Sequence, residues 1–118
     1  MTQDFLQIAK HSGCVDVWFA GESGNDHIRN TVIKKRNTTQ NVRDAVAAAK
    51  RVGFQTGAFF VFGHPGETKE QMQETINFAC SMPLDRAQFT IATPFPGTDL
   101  YKMIETAGDK GRFLETNW

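Results

Sequence analysis

The pattern of apolar and polar positions divides the chain into helices that alternate with strands. Apolar residues recur at helical spacing in several segments, which begin or end at threonine, glycine or proline. The predicted helices are Phe5 to Ala9 with a stop at Gly13, Asn25 to Lys35, Thr38 or Thr39 to Lys50, Thr68 to Met82, and Leu100 to Gly108. The predicted strands are Cys14 to Ala20, Ala58 to Gly63 and Ala87 to Ala92.

This alternation predicts the α/β class, with three βα units and a parallel sheet joined by right-handed crossovers. The middle strand, Ala58 to Gly63, has no charged or hydrogen-bonding side chain, so we expect both of its faces to be covered. Three strands leave two unpaired sheet edges. The pattern therefore indicates that the chain is part of a larger structure.

The most informative stretch is Gly57 to Thr68, which reads G-A-F-F-V-F-G-H-P-G-E-T. It predicts a buried strand, a tight turn and a helix whose first turn is closed by a capping box of Thr68 and Gln71. Ligands of α/β proteins bind at such strand ends, where helix N-termini and free backbone donors converge. On the residues alone, the glycines serve equally well to turn a corner.

Composition narrows the class of protein further. The chain has 118 residues, 40% of them hydrophobic, and its 13 basic and 13 acidic residues give a formal net charge of +0. We therefore expect one domain, with no nucleic-acid surface. No apolar run is long enough to span a membrane, and the N-terminus does not resemble a signal peptide. Cys14 and Cys80 are interpreted as buried free thiols, so the chain is expected to be soluble and cytoplasmic.

Four motifs in order carry a resemblance to a known family. They are G-C-V-D-V-W-F-A-G-E-S-G, N-T-T-Q-N-V-R-D-A-V, V-G-F-Q-T-G-A-F-F-V-F-G-H-P-G-E-T, and A-Q-F-T-I-A-T-P-F-P-G-T-D-L-Y. Together they resemble the C-terminal half of a radical S-adenosylmethionine (radical SAM) core, in the branch associated with cobalamin-binding domains. The resemblance implies a partial (β/α)6 TIM-like barrel, of which residues 1–110 would supply strands four to six. Residues 111–118 would form a C-terminal tail.

The chain lacks two motifs on which the chemistry of the family depends. The family's Cys-x-x-x-Cys-x-x-Cys loop, which binds a [4Fe-4S] cluster, and its Gly-Gly-Glu segment are both missing from this sequence. The resemblance therefore implies a fragment whose cluster ligands lie in a missing N-terminal half of the barrel. Such a fragment would be catalytically inert alone, and whether the chain is itself an enzyme stays open. No catalytic and no metal-binding residue is assigned.

The resemblance also places candidate contacts to SAM at the ends of the strands. Glu22 with Ser23 matches the position that meets the ribose or methionine part, although Glu22 could instead cap the following helix. Lys34 or Lys35 matches a basic residue that reaches the SAM carboxylate, although such lysines are commonly solvent-facing.

The adenine contacts are implied at the next two strand ends. Phe62 and Gly63 match the strand that packs against the base, although phenylalanines on a buried strand are usually core. The backbones of Ala92 and Thr93 match the last adenine contact. His64 is interpreted as structural, because the sequence shows no partner for it.

Two functions from different classes follow from these observations. The first is the SAM-binding half of a radical SAM iron–sulfur enzyme, with cobalamin as a further cofactor that the branch would allow. The second is a non-catalytic βαβ module that self-associates through its exposed sheet edges. Methylation, cyclisation and rearrangement all stay open as the reaction, because substrate choice depends on loops outside these motifs.

Overall fold

The computed structural model describes residues 2–106, which form a three-stranded parallel sheet with helices. The strands are β1 (Asp16–Glu22), β2 (Gln55–Phe62) and β3 (Arg86–Ile91), in the spatial order β1-β2-β3. The helices are α1 (Gln3–His11), α2 (Thr39–Val52), α3 (Lys69–Cys80) and α4 (Asp99–Thr106), with a short π-helical turn at Ile28–Val32. The predicted α/β class with a parallel sheet is confirmed. The predicted tail, Ala107 and Gly108 lie outside the described residues.

The first strand is shifted relative to its prediction. It begins at Asp16 rather than Cys14, because the Cys14 N–H still donates to the Ala9 carbonyl and so closes the end of α1. It also runs past Ala20, and a bulge between Ala20 and Glu22 brings Glu22 opposite Phe60. Bulges re-aim side chains at the ends of strands. Glu22 is therefore the last residue of β1 rather than part of the loop that follows.

The hydrophobic core lies on one face of the sheet. Phe60 is fully buried there, and its ring packs edge-on against Phe78 of α3 at 6.0 Å between ring centroids. Val46 and Ala49 of α2 belong to the same core. This face carries the apolar burial that stabilises the fold.

The prediction that β2 is covered on both faces was wrong for the described residues. Phe59 is 43% exposed, because the helices pack on the face that carries Ala58 and Phe60. On the open face, the Trp18 indole stacks on the Phe59 ring with centroids 4.7 Å apart. Successive residues of a strand point to opposite faces, so an apolar run alone does not show how many faces are covered.

Helix boundaries follow local chemistry closely. The hydroxyls of Thr38 and Thr68 each accept a hydrogen bond from the N3 backbone N–H, and the side-chain oxygens of Asn41 and Gln71 accept from the backbone N–H of the cap, which completes two capping boxes. Gly53 ends α2 with a φ of +91°, which favours glycine. The Thr68–Gln71 capping box and the stop at Gly53 were predicted from the sequence, which left Thr38 and Thr39 as alternatives for the other cap and did not predict the role of Asn41.

The predicted helix from Asn25 to Lys35 was wrong in extent. Residues 26 and 27 are helical and lead into the π-helical turn, which is closed by the Ile33 N–H donating to the Ile28 carbonyl. Lys34 and Arg36 then adopt φ values of +61° and +56°, which end helical geometry. Lys34 and Lys35 therefore lie in a loop and not at a helix end.

The cysteines also differ from expectation. Cys80 is exposed at the end of α3, and Cys14 is only partly buried, although both are free thiols as predicted. The helix turns the last residue of α3 away from the core, whereas Ala79 is buried. Within residues 2–106, no helix is long and apolar enough to cross a membrane.

Candidate functional site

The carboxyl edge of the sheet gathers most of the predicted site residues. Because the strands are parallel, Glu22, Phe62 and Ile91 end their strands at the same edge. The residues that follow each strand therefore share this edge, in a row that runs from Ser23 past Gly63 to Ala92 and Thr93. Ligands of parallel α/β proteins bind at such an edge.

Glu22 and Lys35 form an ion pair at one end of this row. The Glu22 carboxylate lies 3.1 Å from the Lys35 ammonium, and the two side chains are 19% and 36% exposed. Glu22 has a φ of +59°, an uncommon conformation for a residue with a side chain. Such backbone conformations concentrate at functional sites, where the surrounding structure holds them.

The alternative role of Glu22 as a helix cap is wrong. The Ile28 N–H donates instead to the Asn25 side-chain oxygen, at 3.0 Å. Asn25 also donates through its amide to Glu74 of α3, at 2.8 Å. The Glu22 carboxylate is therefore not used to start the following turn.

Ser23 lies beside Glu22 but faces inward. Its side chain is fully buried, and its hydroxyl accepts from the Asn25 N–H at 3.1 Å and lies 3.4 Å from the Thr75 hydroxyl. Thr75 also accepts from the Gly24 N–H at 2.9 Å. An added Cβ at Gly24 would lie 2.4 Å from the Glu74 carbonyl. Ser23 thus fastens the loop after β1 onto α3.

Arg29 was missed by the sequence analysis. Its side chain is fully buried, and its guanidinium donates to the carbonyls of Gly21 and Ser23 and to the Asn37 side chain. Burial lowers the pKa of Arg29, and the nearby carboxylates of Asp26 and Glu22 oppose this shift. At helical spacing Arg29 lies beside Ile28, off the apolar stripe, so the sequence pattern pointed it toward solvent.

Glu67 organises the turn after β2. One of its carboxylate oxygens accepts from the N–H groups of Gly63 and His64, at 2.7 and 3.1 Å. Gly63 and Gly66 have φ values of +83° and +77°, which the turn requires. The other Glu67 oxygen is buried without a hydrogen-bond partner in the described structure.

His64 lies in this turn, and its backbone N–H rather than its imidazole donates to the Glu67 carboxylate. Burial lowers its pKa, and the charges of Glu67 and Glu22 and a backbone hydrogen bond with Val61 oppose the shift. Its Nε2 atom is buried and has no partner among the described residues. The neutral imidazole is therefore the favoured form at neutral pH.

The backbone N–H groups of Gly63, His64 and Ala92, at the β2 and β3 ends, already donate hydrogen bonds. The Ala92 N–H donates to the Phe62 carbonyl at 2.7 Å, and the Thr93 hydroxyl donates to the Ile91 carbonyl at 3.2 Å. The Phe62 ring stacks on Phe89, with centroids 5.3 Å apart.

Lys34 lines a small pocket beyond the end of the sheet. The pocket has a volume of about 220 Å³ and is closed by the first turns of α4. Its polar lining is Lys34, His64 and Asp99, and its apolar lining is Val32, Ile33, Leu100 and Met103. Ligand pockets for whole small molecules typically measure about 300–1,000 Å³, so this pocket suits only part of such a ligand.

The donor set does not suit an iron–sulfur cluster. No group of three or more metal-binding side chains occurs among residues 2–106. The chain has two cysteines, fewer than the three thiolates that the family's cluster loop supplies. By contrast, the charged pair and the polar turns of the carboxyl edge suit a ligand with hydroxyl and amino groups.

Comparison with known proteins identifies the family. A sequence model of the Radical SAM superfamily matches residues 1–79. The chain belongs to the radical SAM superfamily. Membership implies SAM and an iron–sulfur cluster as cofactors of the whole enzyme.

Similar curated proteins include several methyltransferases and cyclases. The chain is 42% identical over 109 residues to an uncharacterized methyltransferase of Pyrococcus horikoshii, covering 92% of this chain and 23% of that protein. It is 29% identical over 108 residues to cytidylyl-2-hydroxyethylphosphonate methyltransferase of Streptomyces wedmorensis, covering 86% of this chain and 20% of that protein. The chain therefore spans about a fifth to a quarter of the length of these radical SAM relatives.

A solved structure supports the fold independently. Coproporphyrinogen III oxidase of Escherichia coli, a radical SAM enzyme, superposes with a TM-score of 0.75 at 15% identity. The match covers 94% of this chain and 30% of that one. The TIM-barrel-like fold class predicted from the sequence is confirmed by this superposition.

Proposed function

We propose that this chain supplies the part of the SAM site of a radical SAM iron–sulfur enzyme that contacts the ribose, the methionine carboxylate and the adenine. The observation that carries the proposal is the Glu22–Lys35 pair at the carboxyl edge of a radical SAM sheet. Carboxylate oxygens accept hydrogen bonds, and ribose hydroxyls donate them. Glu22 would therefore bind the ribose while Lys35 orients its carboxylate.

The methionine end of SAM is assigned to Lys34. Lys34 lines the small pocket with His64 and, among residues 2–106, forms no ion pair, whereas Lys35 is paired with Glu22. An ammonium group there would attract the SAM carboxylate. The assignment separates two lysines that the sequence alone left as alternatives.

The adenine end is assigned to carbonyl oxygens after β2 and β3. The N–H groups of Gly63 and Ala92 are bound to Glu67 and Phe62, so they are not free for the base. The adenine amino group donates hydrogen bonds, and it would pair with a carbonyl oxygen of Gly63, Ala92 or Thr93. When bound, the cluster would supply the electron that cleaves SAM, and its ligands would come from outside this chain.

The rest of the barrel is the proposed partner of this chain. β3 is exposed along its whole length, with Ile91 at 76% and Phe89 at 41% exposed. An apolar groove of about 490 Å³ runs between α3 and β3 beside these residues. Unpaired edges and apolar faces of this kind are normally covered. We propose that an N-terminal half-barrel covers the sheet edges, whereas the alternative is a second copy of the chain.

The proposal is tested in the complete enzyme that carries this sequence. After reconstitution with iron and sulfide and reduction, the enzyme is expected to convert SAM to 5′-deoxyadenosine. A cluster-loaded, reduced enzyme that binds no SAM and forms no 5′-deoxyadenosine would overturn it. Light scattering on the 118-residue chain alone addresses the alternative, since a stable dimer would favour self-association through the sheet edges. The cobalamin-associated branch and the reaction type stay predictions.

A further inference from the structure

Arg29 is a buried cation that the proposed contacts to SAM do not use. Its side chain is fully buried, on the π-helical turn that follows β1. A charge in the interior is unfavourable unless hydrogen bonds and nearby charges compensate it. The hydrogen-bond partners of Arg29 therefore indicate which segments the residue positions.

The Arg29 guanidinium binds the residues immediately before and after Glu22. One of its nitrogens donates to the carbonyl of Gly21 and, at 3.2 Å, to the carbonyl of Ser23. These two carbonyls flank Glu22, whose φ of +59° needs support from its surroundings. The flanking residues cannot shift easily, because an added Cβ at Gly21 would lie 2.5 Å from the Phe60 ring.

Arg29 also holds the segment that carries Lys35. Its backbone carbonyl accepts from the Lys35 N–H at 2.9 Å. The second guanidinium nitrogen donates to the Asn37 side chain, just beyond the left-handed Arg36. The planar fork of an arginine can bind several acceptors in fixed directions, which a lysine cannot do.

We propose that Arg29 is the positioning residue that sets the geometry of the Glu22–Lys35 pair and so tunes the affinity of the site for SAM. Arg29 itself does not touch SAM. The inference rests on the proposed function, because it acts through Glu22. The π-helical turn is then part of the site. It places the Arg29 side chain against the end of β1 and the Arg29 carbonyl against the loop that carries Lys35.

The experiment is a double-mutant cycle on SAM affinity in the complete, cluster-loaded enzyme, measured by titration calorimetry. Arg29→Lys keeps the charge but loses the fork, and Asn37→Ala removes one anchor without altering the buried cation. We expect Arg29→Lys to bind SAM about 10-fold to 100-fold more weakly than the wild type. Asn37→Ala should also bind SAM more weakly than the wild type, but with a smaller loss than Arg29→Lys. In a Glu22→Gln background, either change should have little further effect, because both act through Glu22.

A matched control separates positioning from stability. Arg43 donates to Ser81 and lies over the Phe78 ring at 4.9 Å, away from the carboxyl edge. Arg43→Lys is expected to lower the melting temperature but leave the SAM affinity unchanged. The inference is overturned if Arg29→Lys and Asn37→Ala bind SAM normally, or if their losses add fully to that of Glu22→Gln. If Glu22→Gln binds SAM with the affinity of the wild type, the proposed role of Glu22 in binding SAM is wrong, and the inference about Arg29 is wrong with it.

Discussion

The Glu22 carboxylate and the Lys35 ammonium lie 3.1 Å apart at the carboxyl edge of the sheet. Glu22 ends a strand, and Lys35 follows a π-helical turn between two left-handed residues, Lys34 and Arg36. Both residues lie in or next to backbone with positive φ, since Glu22 itself has a φ of +59° and Lys35 is flanked by Lys34 and Arg36. Partly exposed ion pairs contribute about 0–1 kcal/mol to stability, so a purely stabilising role would not explain this backbone arrangement.

Glu22→Gln is therefore expected to weaken SAM binding with little loss of stability. A hydrogen bond to a charged group contributes about 1.5–3 kcal/mol, which corresponds to about 10-fold to 100-fold in affinity. Titration calorimetry on the complete enzyme measures the affinity, and thermal unfolding measures the stability. Glu70→Gln, on the exposed first turn of α3, is the matched control and should leave the affinity unchanged. Equal affinities for the two variants would contradict the assignment of Glu22.

His64 is expected to make the fold less stable in acid. Its pKa is lowered in the folded state, mainly by burial, so the unfolded chain takes up a proton before the folded one does. The contribution of neutral His64 is complete above the ordinary histidine pKa of about 6.5 and is lost as pH falls through the lower folded value. Thermal unfolding across this range should show a smaller pH dependence for His64→Asn. His11→Asn, at the exposed end of α1, should retain the dependence of the wild type.

Asp85 is expected to stabilise the opposite end of the sheet above its pKa. Hydrogen bonds from the Lys50 ammonium and then the Thr56 N–H lower the pKa of this carboxyl. The stabilisation is present above the ordinary aspartate pKa and is lost as pH falls through the depressed one. Asp85→Asn should therefore lower the melting temperature at neutral pH, and the difference should shrink in acid. Asp44→Asn on α2 is the control, and an equal loss there would contradict the assignment.

Gly57→Ala is expected to destabilise the fold through Trp18. An added Cβ would lie 2.5 Å from the Trp18 indole, which would have to shift and so disturb its stacking on the Phe59 ring. Overpacking of this kind costs about 1–3 kcal/mol. Chemical denaturation measures the loss, and it should be smaller when Gly57→Ala is made in a Trp18→Val background. A cost that is the same in both backgrounds would show that Trp18 is not the obstacle.

Much of the fold could be predicted because local chemistry decides it. The capping boxes at Thr38 and Thr68 and the stop at Gly53 depend on residues within one helical turn. The parallel sheet followed from the alternation of elements, which permits few topologies. The helix predicted at Asn25 to Lys35 failed because apolar spacing does not distinguish an α-helix from a π-helical turn followed by left-handed residues.

The candidate site was predictable only in part. Strand ends and glycine turns marked Glu22 and Gly63, because parallel strands must bring these ends to one edge. The engagement of the Gly63 N–H by Glu67, and the burial of His64, depend on how the turn folds back. Arg29 gave no signal, because two of its three acceptors are backbone carbonyls, which every residue possesses, and the third, the Asn37 side chain, lies eight residues away.

The sequence by itself determined the order of elements, the parallel sheet, the sheet edge that carries the candidate site and the lack of a cysteine loop for a cluster. These properties depend on periodicity and capping residues, which involve only residues close in sequence, and on the number of cysteines, which can be counted. Only the tertiary structure decided which lysine pairs with Glu22, which face of β2 is open and that Arg29 is buried beneath the site. Those outcomes depend on contacts between segments distant in the chain, whose geometry no local pattern encodes.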